Sequence, residues 1–470
     1  MVGKINSKKG IKIPHTYVII FSILLLVSLA TYLIPAGEYE RAENASGRTV
    51  VVEDSYHRVE SNPQGIIKVL QAPLRGIRET SEIIGFILII GGAFAIVQKT
   101  KAIDSGLIKA TSHLKGKEII IIPTVMLLFS LGGAVFGMSE ETIPFVAIFV
   151  PLALALGYDT ITGIAMSYMA AQIGFAAAFM NPFTIGIAQG IAELPPMSGM
   201  GYRLFVWVVA TLFGIAYVMI YASKIKKNPE LSITYDHDLN RRKELREDGA
   251  INNNFTSKHA LVLITFFIGM VTLIWGVIVH EWYISEIAAL FVAIGIIAGF
   301  IGGLKAGEIA NSFIDGAKDL VSAALMVGLA RGALILATDG RIIDTMLASV
   351  AGVVGSVPSL ISAYLMFFIQ TIINFFVPSG SGQAALTMPI MAPLGELVGI
   401  TRQTTVLAYQ FGDGFTNMII PTSGVLMGAL GMAKISWDQW AKWMIKLQIL
   451  FIILGCLLLT PAVLMHLGPF

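Results

Sequence analysis

The chain has 470 residues, of which 55% are hydrophobic and 13% charged, with a formal net charge of +2 and a mean hydropathy of +0.77. Soluble globular domains carry about 25% charged residues, so the composition excludes a soluble domain and predicts an all-α polytopic membrane protein with no nucleic-acid partner. The single cysteine, Cys456, excludes a disulfide framework and a cysteine-based metal site.

In chain order, Lys4, Lys8, Lys9 and Lys12 precede the apolar run Tyr17 to Ile34. That run is long for a signal-peptide core, and "LIPAGEYE" lacks an A-x-A site, so a retained transmembrane helix is expected. A spanning helix needs about 20 apolar residues. Plain spans are predicted at 16–35, 82–98, 203–223, 260–280 (inside a linking span 259–282), 283–303, 319–338 and 441–462. The runs 160–192 and 402–432 are too long for one plain span, and 119–157 and 359–397 each double back around a polar centre. Lysine and arginine near span ends put the N-terminus, Lys99 to Lys117 and the polar loop 224–258 in the cytoplasm. Residues 37–80 and the C-terminus then lie outside.

The loop 224–258 divides two halves, 1–223 and 283–470, that resemble each other. Gly92-Ala93 matches Gly332-Ala333 and Ile103-Asp104 matches Ile343-Asp344 at a spacing of 240 residues. Ser139 matches Ser381, Pro151-Leu152 matches Pro393-Leu394 and Gly157 matches Gly399 at 242. A hairpin that doubles back makes no net crossing, so five spans separate equivalent elements and the repeats are expected to be inverted. Inverted repeats with broken helices place a substrate site near the membrane midplane. The segments "AIDSGL" (Ala102 to Leu107) and "IIDTML" (Ile342 to Leu347) read as amphipathic surface linkers, either arms between domains or plain interfacial helices.

The polar centres carry the candidate site. "FGMSEET" (Phe136 to Thr142) supplies Ser139, Glu140 and Glu141, and "PSGSGQ" (Pro378 to Gln383) supplies Ser379, Gly380, Ser381 and Gly382. Neither stretch holds the Lys, Arg, Trp or Tyr of a loop lying at the water interface, so both read as re-entrant tips meeting inside the protein, where irregular backbone is tolerated. Hydroxyls and free N–H groups at a helix start suit a carboxylate. "FMNPFTIG" and "NMIIPTSGV" place Pro182 and Pro421 beside Asn181, Thr184, Asn417, Thr422 and Ser423. Proline removes a helical hydrogen bond, and broken helix ends coordinate ions and substrates. Intramembrane charges need a reason. Glu140, Glu141 and Asp413 would bind a coupling cation or a cationic substrate group, while Arg331 would hold a carboxylate or an acid, or form a structural pair between helices. Sodium near Ser139, Asn181, Ser381 and Asn417, or a proton, is the expected coupling ion; no other cofactor is expected.

The motifs "GMSEETIPF", "NPFTIGIAQ", "GLARG", "PSGSGQA" and "GDGFTNMIIPTSG" resemble those of the YfcC/DcuC-type carriers, C4-dicarboxylate or basic amino-acid transporters. These belong to an ion-transporter superfamily that includes the AbgT and divalent-anion symporter families. The resemblance covers essentially the whole chain. It implies a homodimer in the bacterial inner membrane, with a scaffold and a mobile transport domain working as an elevator. The chain lacks the Ser-Asn-Thr tips of the divalent-anion symporters. A basic amino acid such as arginine or ornithine is the favoured substrate, because three acids outnumber Arg331 near the expected site. The alternative is a C4-dicarboxylate with Na⁺ or H⁺ neutralising those acids. An intramembrane protease would need a base near Ser379, and His466 is the only histidine downstream. A passive channel fits broken, inverted helices less well than alternating access does.

Overall fold

Apolar runs become helices at nearly the boundaries their polar flanks imply. The computed structural model describes residues 16–43, 49–52, 55–103, 105–106, 118–251, 255–280, 282, 284–354 and 357–468. Lys4, Lys8, Lys9, Lys12, Lys109, Lys115 and Lys117, which bear on the orientation, lie outside the described residues, as do Asp104 and Leu107 of the first linker.

The first half contains α1 (Thr16–Leu33), α2 (Ile66–Glu79), α3 (Ser81–Lys99) and a hairpin of α4 (Glu118–Phe136) and α5 (Thr142–Ala155). An interrupted helix follows, built of α6 (Thr160–Ile164), a wide π-helical turn (Ala165–Met169), α7 (Ala170–Ala176), a second π turn (Pro182–Gly186) and α8 (Ile187–Ile191). The long α9 (Met200–Lys227) and the polar α10 (Tyr235–Ile251) lead to α11 (Ser257–His280). The second half holds α12 (Ile284–Gly302), α13 (Ala306–Asp339), α14 (Ile343–Val354), a hairpin of α15 (Ser359–Phe376) and α16 (Gly380–Leu397), the interrupted pair α17 (Arg402–Asn417) and α18 (Gly424–Ala433), and α19 (Trp437–Leu464). Among the described residues, seven helices are long and apolar enough to cross a membrane, including the first arm of each hairpin. Two small antiparallel pairs, Gly37–Glu38 with His57–Arg58 and Arg41–Glu43 with Thr49–Val51, join α1 to α2.

Local roles recur at the spacing of the sequence repeat. Gly157 and Gly399, which end the two hairpins, both have positive φ, +88° and +77°, a region open to glycine without strain. Two residues later Asp159 and Thr401 cap the next helix, accepting from the Thr162 and Thr404 backbone N–H at 2.9 and 3.3 Å. Asn181 and Ser423 cap the second half of each broken helix, accepting from Phe183 N at 2.9 Å and Leu426 N at 3.3 Å. Side-chain caps of this kind are each worth about 1 kcal/mol, and here they satisfy N–H groups where each broken helix restarts.

Small residues let the helices meet backbone to backbone, as membrane interfaces require. A Cβ on Gly91 of α3 would lie 2.8 Å from the Gly316 carbonyl of α13. Gly414 of α17 packs on the Ala176 backbone at the end of α7, so the two broken helices touch at their break points. The polar α10 is docked rather than free. Its Asp238 accepts from the Thr160 N–H at 3.1 Å, and Arg241 donates to the Ala433 carbonyl at 2.9 Å. Burial pushes the neighbouring Asp159 carboxyl above the usual carboxylate range, although Thr162, Tyr221 and Ser232 all donate to it.

Two helices lie where loops were expected: α10 falls inside the predicted loop 224–258, and α2 precedes α3. α2 lies in the stretch expected to be a loop, and its buried residues Val69, Ala72 and Gly76 face α13. Its charges hold it there: Arg75 pairs with Asp339, and Arg331 of α13 pairs with Glu79 at 2.9 Å. α13 is also longer than the predicted 319–338, beginning at Ala306.

Candidate functional site

Both hairpin tips open onto one cavity of about 430 Å³. The first tip contributes Gly137, Ser139, Glu140 and Glu141; the second contributes Ser379, Gly380 and Ser381. The broken helices add Gln172, Thr184, Asn417 and Ser423, and the remaining wall is mainly aromatic or apolar, including Phe136, Phe175, Phe183 and Trp282. Asn181, Gly382, Asp413 and Thr422 are not on the wall.

The first tip turns because Gly137 has φ +75°. Its Cβ position is filled by the Asn181 amide, 2.7 Å from Oδ1, so the tip sits directly on the break of the first interrupted helix. The Ser139 N–H donates to Glu141 Oε2 at 2.9 Å, and Thr142 Oγ1 donates to the Ser139 carbonyl at 2.6 Å. Glu141 is therefore buried and engaged within its own hairpin, while Glu140 is half-buried on the cavity wall. Gln172 of α7 donates to Ser139 Oγ at 3.2 Å, tying tip to broken helix.

The second tip starts α16 with a side-chain cap, Ser379 Oγ accepting from Gly382 N at 3.3 Å. Ser381 is exposed to the cavity. Tyr409 donates to the Gly380 carbonyl at 2.5 Å, pinning the tip to α17. Asn417 ends α17 with its Oδ1 accepting from Asn374 Nδ2 at 2.9 Å and its carbonyl accepting from the Tyr168 hydroxyl at 2.8 Å. Asp413 is fully buried, and neither of its carboxylate oxygens bonds to a protein donor, although its backbone carbonyl accepts from Asn374 Nδ2 at 2.8 Å. Thr184 Oγ1, Thr422 Oγ1 and Asn181 Nδ2 are likewise buried without a protein partner.

Arg331 is not brought to this cavity. It lies half-exposed against Glu79 and lines a separate space with Arg41 and Arg341, reached from the other side of the second tip, since Ser379 borders both. Glu396 pairs with Arg402 at 2.9 Å at the far end of the hairpin. Among the described residues lining the cavity there is no Lys, Arg or His. Repeat spacing pairs Tyr168 with Tyr409, 241 residues apart, but does not mark Gln172, Asn374 or Trp282. Polarity inside an apolar run marks Gln172 and Asn374 in retrospect. Trp282 lies between α11 and α12 and reaches the wall only through tertiary packing.

The profile of the family described as DcuC, C4-dicarboxylate anaerobic carrier, matches residues 13–464. The protein YfcC of Escherichia coli (strain K12), provisionally named a basic amino acid antiporter, is 43% identical over 467 residues, covering 91% of this chain and 92% of its own. An uncharacterised Haemophilus influenzae protein is 32% identical, covering 98% of this chain and 97% of its own. Among solved structures, the YdaH transporter of Alcanivorax borkumensis aligns with a TM-score of 0.42 at 15% identity, over 97% of this chain and 100% of that one. The efflux pump MtrF of Neisseria gonorrhoeae aligns with a TM-score of 0.43 at 17% identity, over 97% and 96%.

Proposed function

The chain belongs to the DcuC family of C4-dicarboxylate anaerobic carriers and is a multi-pass membrane transporter of that type, and on that premise we propose that it carries a basic amino acid across the bacterial inner membrane. The observation that supports this reading is the charge of the shared cavity, which has Glu140 and Glu141 on its wall and no cationic side chain among its described lining. A dicarboxylate entering that space would face two like charges, which raises its cost. The α-carboxylate of an amino acid fits the hydroxyls and N–H groups of the second tip, around Ser379 and Ser381, and its cationic end fits Glu140. At about 430 Å³ the cavity has the size of an ordinary small-molecule pocket. The relative YfcC carries the same substrate class in its provisional name.

The transport cycle in this reading is an elevator. The two hairpins with α6–α9 and α17–α19 move as one body against a scaffold of α1–α3 and α11–α13, in a homodimer whose N-terminus is cytoplasmic and whose C-terminus is outside. The inverted repeat supplies the two states of similar energy that alternating access needs. The second reading, a C4-dicarboxylate with cations neutralising the acids, is favoured by the family description. Proteoliposomes loaded with unlabelled arginine and diluted into labelled arginine, ornithine or succinate separate the two. Counterflow of arginine and ornithine without succinate is expected; succinate counterflow that arginine does not inhibit overturns the assignment.

A further inference from the structure

The repeat carries a second pair of spaces. Gly91, Phe94, Gln98 and Lys101, along and just past the end of α3, line a cavity of about 320 Å³. The residues 240 positions later, Arg331, Leu334, Thr338 and Arg341 at the end of α13, line the space of about 440 Å³ beside Arg41. Lys101 and Arg341 follow their helices at the same point, both with positive φ, +60° and +53°, a conformation uncommon for a side-chain-bearing residue. The two spaces differ in charge. Around the later one, Arg41, Arg331 and Arg341 each pair with a carboxylate, from Asp344, Glu79 and Glu38. The earlier one has Lys101, His237, Arg241 and Lys434 on its wall, with Asp319 as the sole acid among its described lining. Lys434, which ends α18, also has positive φ, +56°. Two lysines thus hold a backbone state that glycine enters without strain, and both turn onto one cavity. That cavity lies where α3 and α13 face α5, α10 and the end of α18. Its floor is apolar and buried, with Phe94, Pro151, Leu320 and Met432. Lys434 donates to Asp319 at 2.7 Å, joining the end of α18 to α13.

We infer that this cavity binds the phosphate group of an anionic ligand, held by Lys101, Arg241 and Lys434. Basic pockets between membrane helices take acidic lipid headgroups, and the three cations reach this one from three different elements. Arginine matches phosphate with its planar fork, and lysine adds a compact charge. Lys101 and Arg241 keep partners of their own, Arg241 on the Ala433 carbonyl at 2.9 Å. A lysine has three donors and an arginine five, so the ligand adds to those bonds and does not need to replace them. The apolar floor beneath a cationic rim, at the ends of α3 and α18, suits a phospholipid headgroup better than a free phosphate ion, which has no apolar part to bury. The consequence rests on the elevator reading. There Lys101 and Asp319 go with the scaffold and Lys434 with the moving body, to which α10 is docked. A phosphate bridging them holds the two bodies in the present arrangement, so the ligand slows exchange.

The test reads binding and does not use transport, so its failure leaves the substrate assignment standing. The full-length protein in detergent is melted against phosphatidylglycerol, against phosphatidylcholine and against inorganic phosphate at constant ionic strength. A saturable rise of about 3 °C with phosphatidylglycerol and none with phosphatidylcholine is expected, as for a ligand that binds only the folded state. In the double variant Lys101→Gln, Lys434→Gln the half-saturating concentration should rise about tenfold. Arg341→Gln, at the matching position of the other space, should leave it unchanged. A rise with inorganic phosphate alone that the double variant weakens keeps the site and makes its ligand a soluble phosphate. Equal rises with the two lipids, no saturable rise with either phosphate source, or a double variant that matches the wild type overturns the site. Should the double variant fail to fold, Lys434→Gln alone decides, with an expected shift of about threefold.

Discussion

Glu140→Gln is expected to weaken arginine and ornithine by roughly 100-fold in half-saturating concentration, about 2.8 kcal/mol, with little change for the neutral isostere citrulline. Glutamine keeps the size and a hydrogen-bonding carbonyl, so only the charge is removed. Glu140 is the right residue for this test because it is half-buried on the cavity wall, whereas Glu141 is buried and already accepts the Ser139 N–H. Glu141→Gln should therefore act mainly through the shape of the first tip, reducing transport of arginine and citrulline alike. Uptake kinetics of the three substrates in proteoliposomes give the comparison. Equal losses for arginine and citrulline in Glu140→Gln would remove the charge argument on which the basic amino-acid assignment stands.

Gly380→Val carries the second large effect. The added Cβ meets the Thr184 methyl, Asp413 Oδ2 and the Phe175 ring, three groups held by two different broken helices. Overpacking of a fitted contact costs about 1–3 kcal/mol. Here the tip is the part able to retreat, so the expected outcome is a folded protein with its second hairpin displaced and its transport reduced at least tenfold. Gly382→Val is the matched control. Its Cβ would meet the Ser379 side chain at 3.2 Å and Val377 at 3.7 Å, contacts within its own hairpin, and a smaller loss is expected. Initial uptake rates normalised to folded protein by size-exclusion chromatography check both. A Gly380→Val rate equal to wild type would mean that the close approach at the tip has no part in transport.

The hairpins and broken helices were legible because their signal is local. A polar, glycine-containing knot inside an apolar run marks Gly137 to Glu141 and Ser379 to Gly382, and proline beside amides marks the breaks at Asn181 and Asn417. The run 359–397 becomes α15 and α16 with the same outer limits. What stayed hidden depends on partners distant in sequence. α2 buries small residues, Ala72 and Gly76, whose hydropathy is too weak to announce a helix, and it is fixed by ion pairs to α13. Arg331 looked like a site charge because it is an arginine in an apolar helix, but its partner Glu79 lies in a stretch expected to be loop. Asp413 was expected beside the substrate. That Gly380 screens it from the cavity is a three-dimensional fact that no spacing rule contains.

The central claim is that the two tips share one ligand at the meeting of the broken helices. Cysteine labelling tests it most directly, since the chain has a single cysteine to remove. In a Cys456→Ser background, Ser139→Cys and Ser381→Cys are each alkylated at a measured rate while arginine is titrated. The account predicts that arginine slows both labelling reactions with the same half-maximal concentration, equal to the one for counterflow. Protection of only one position, or of neither, would contradict it.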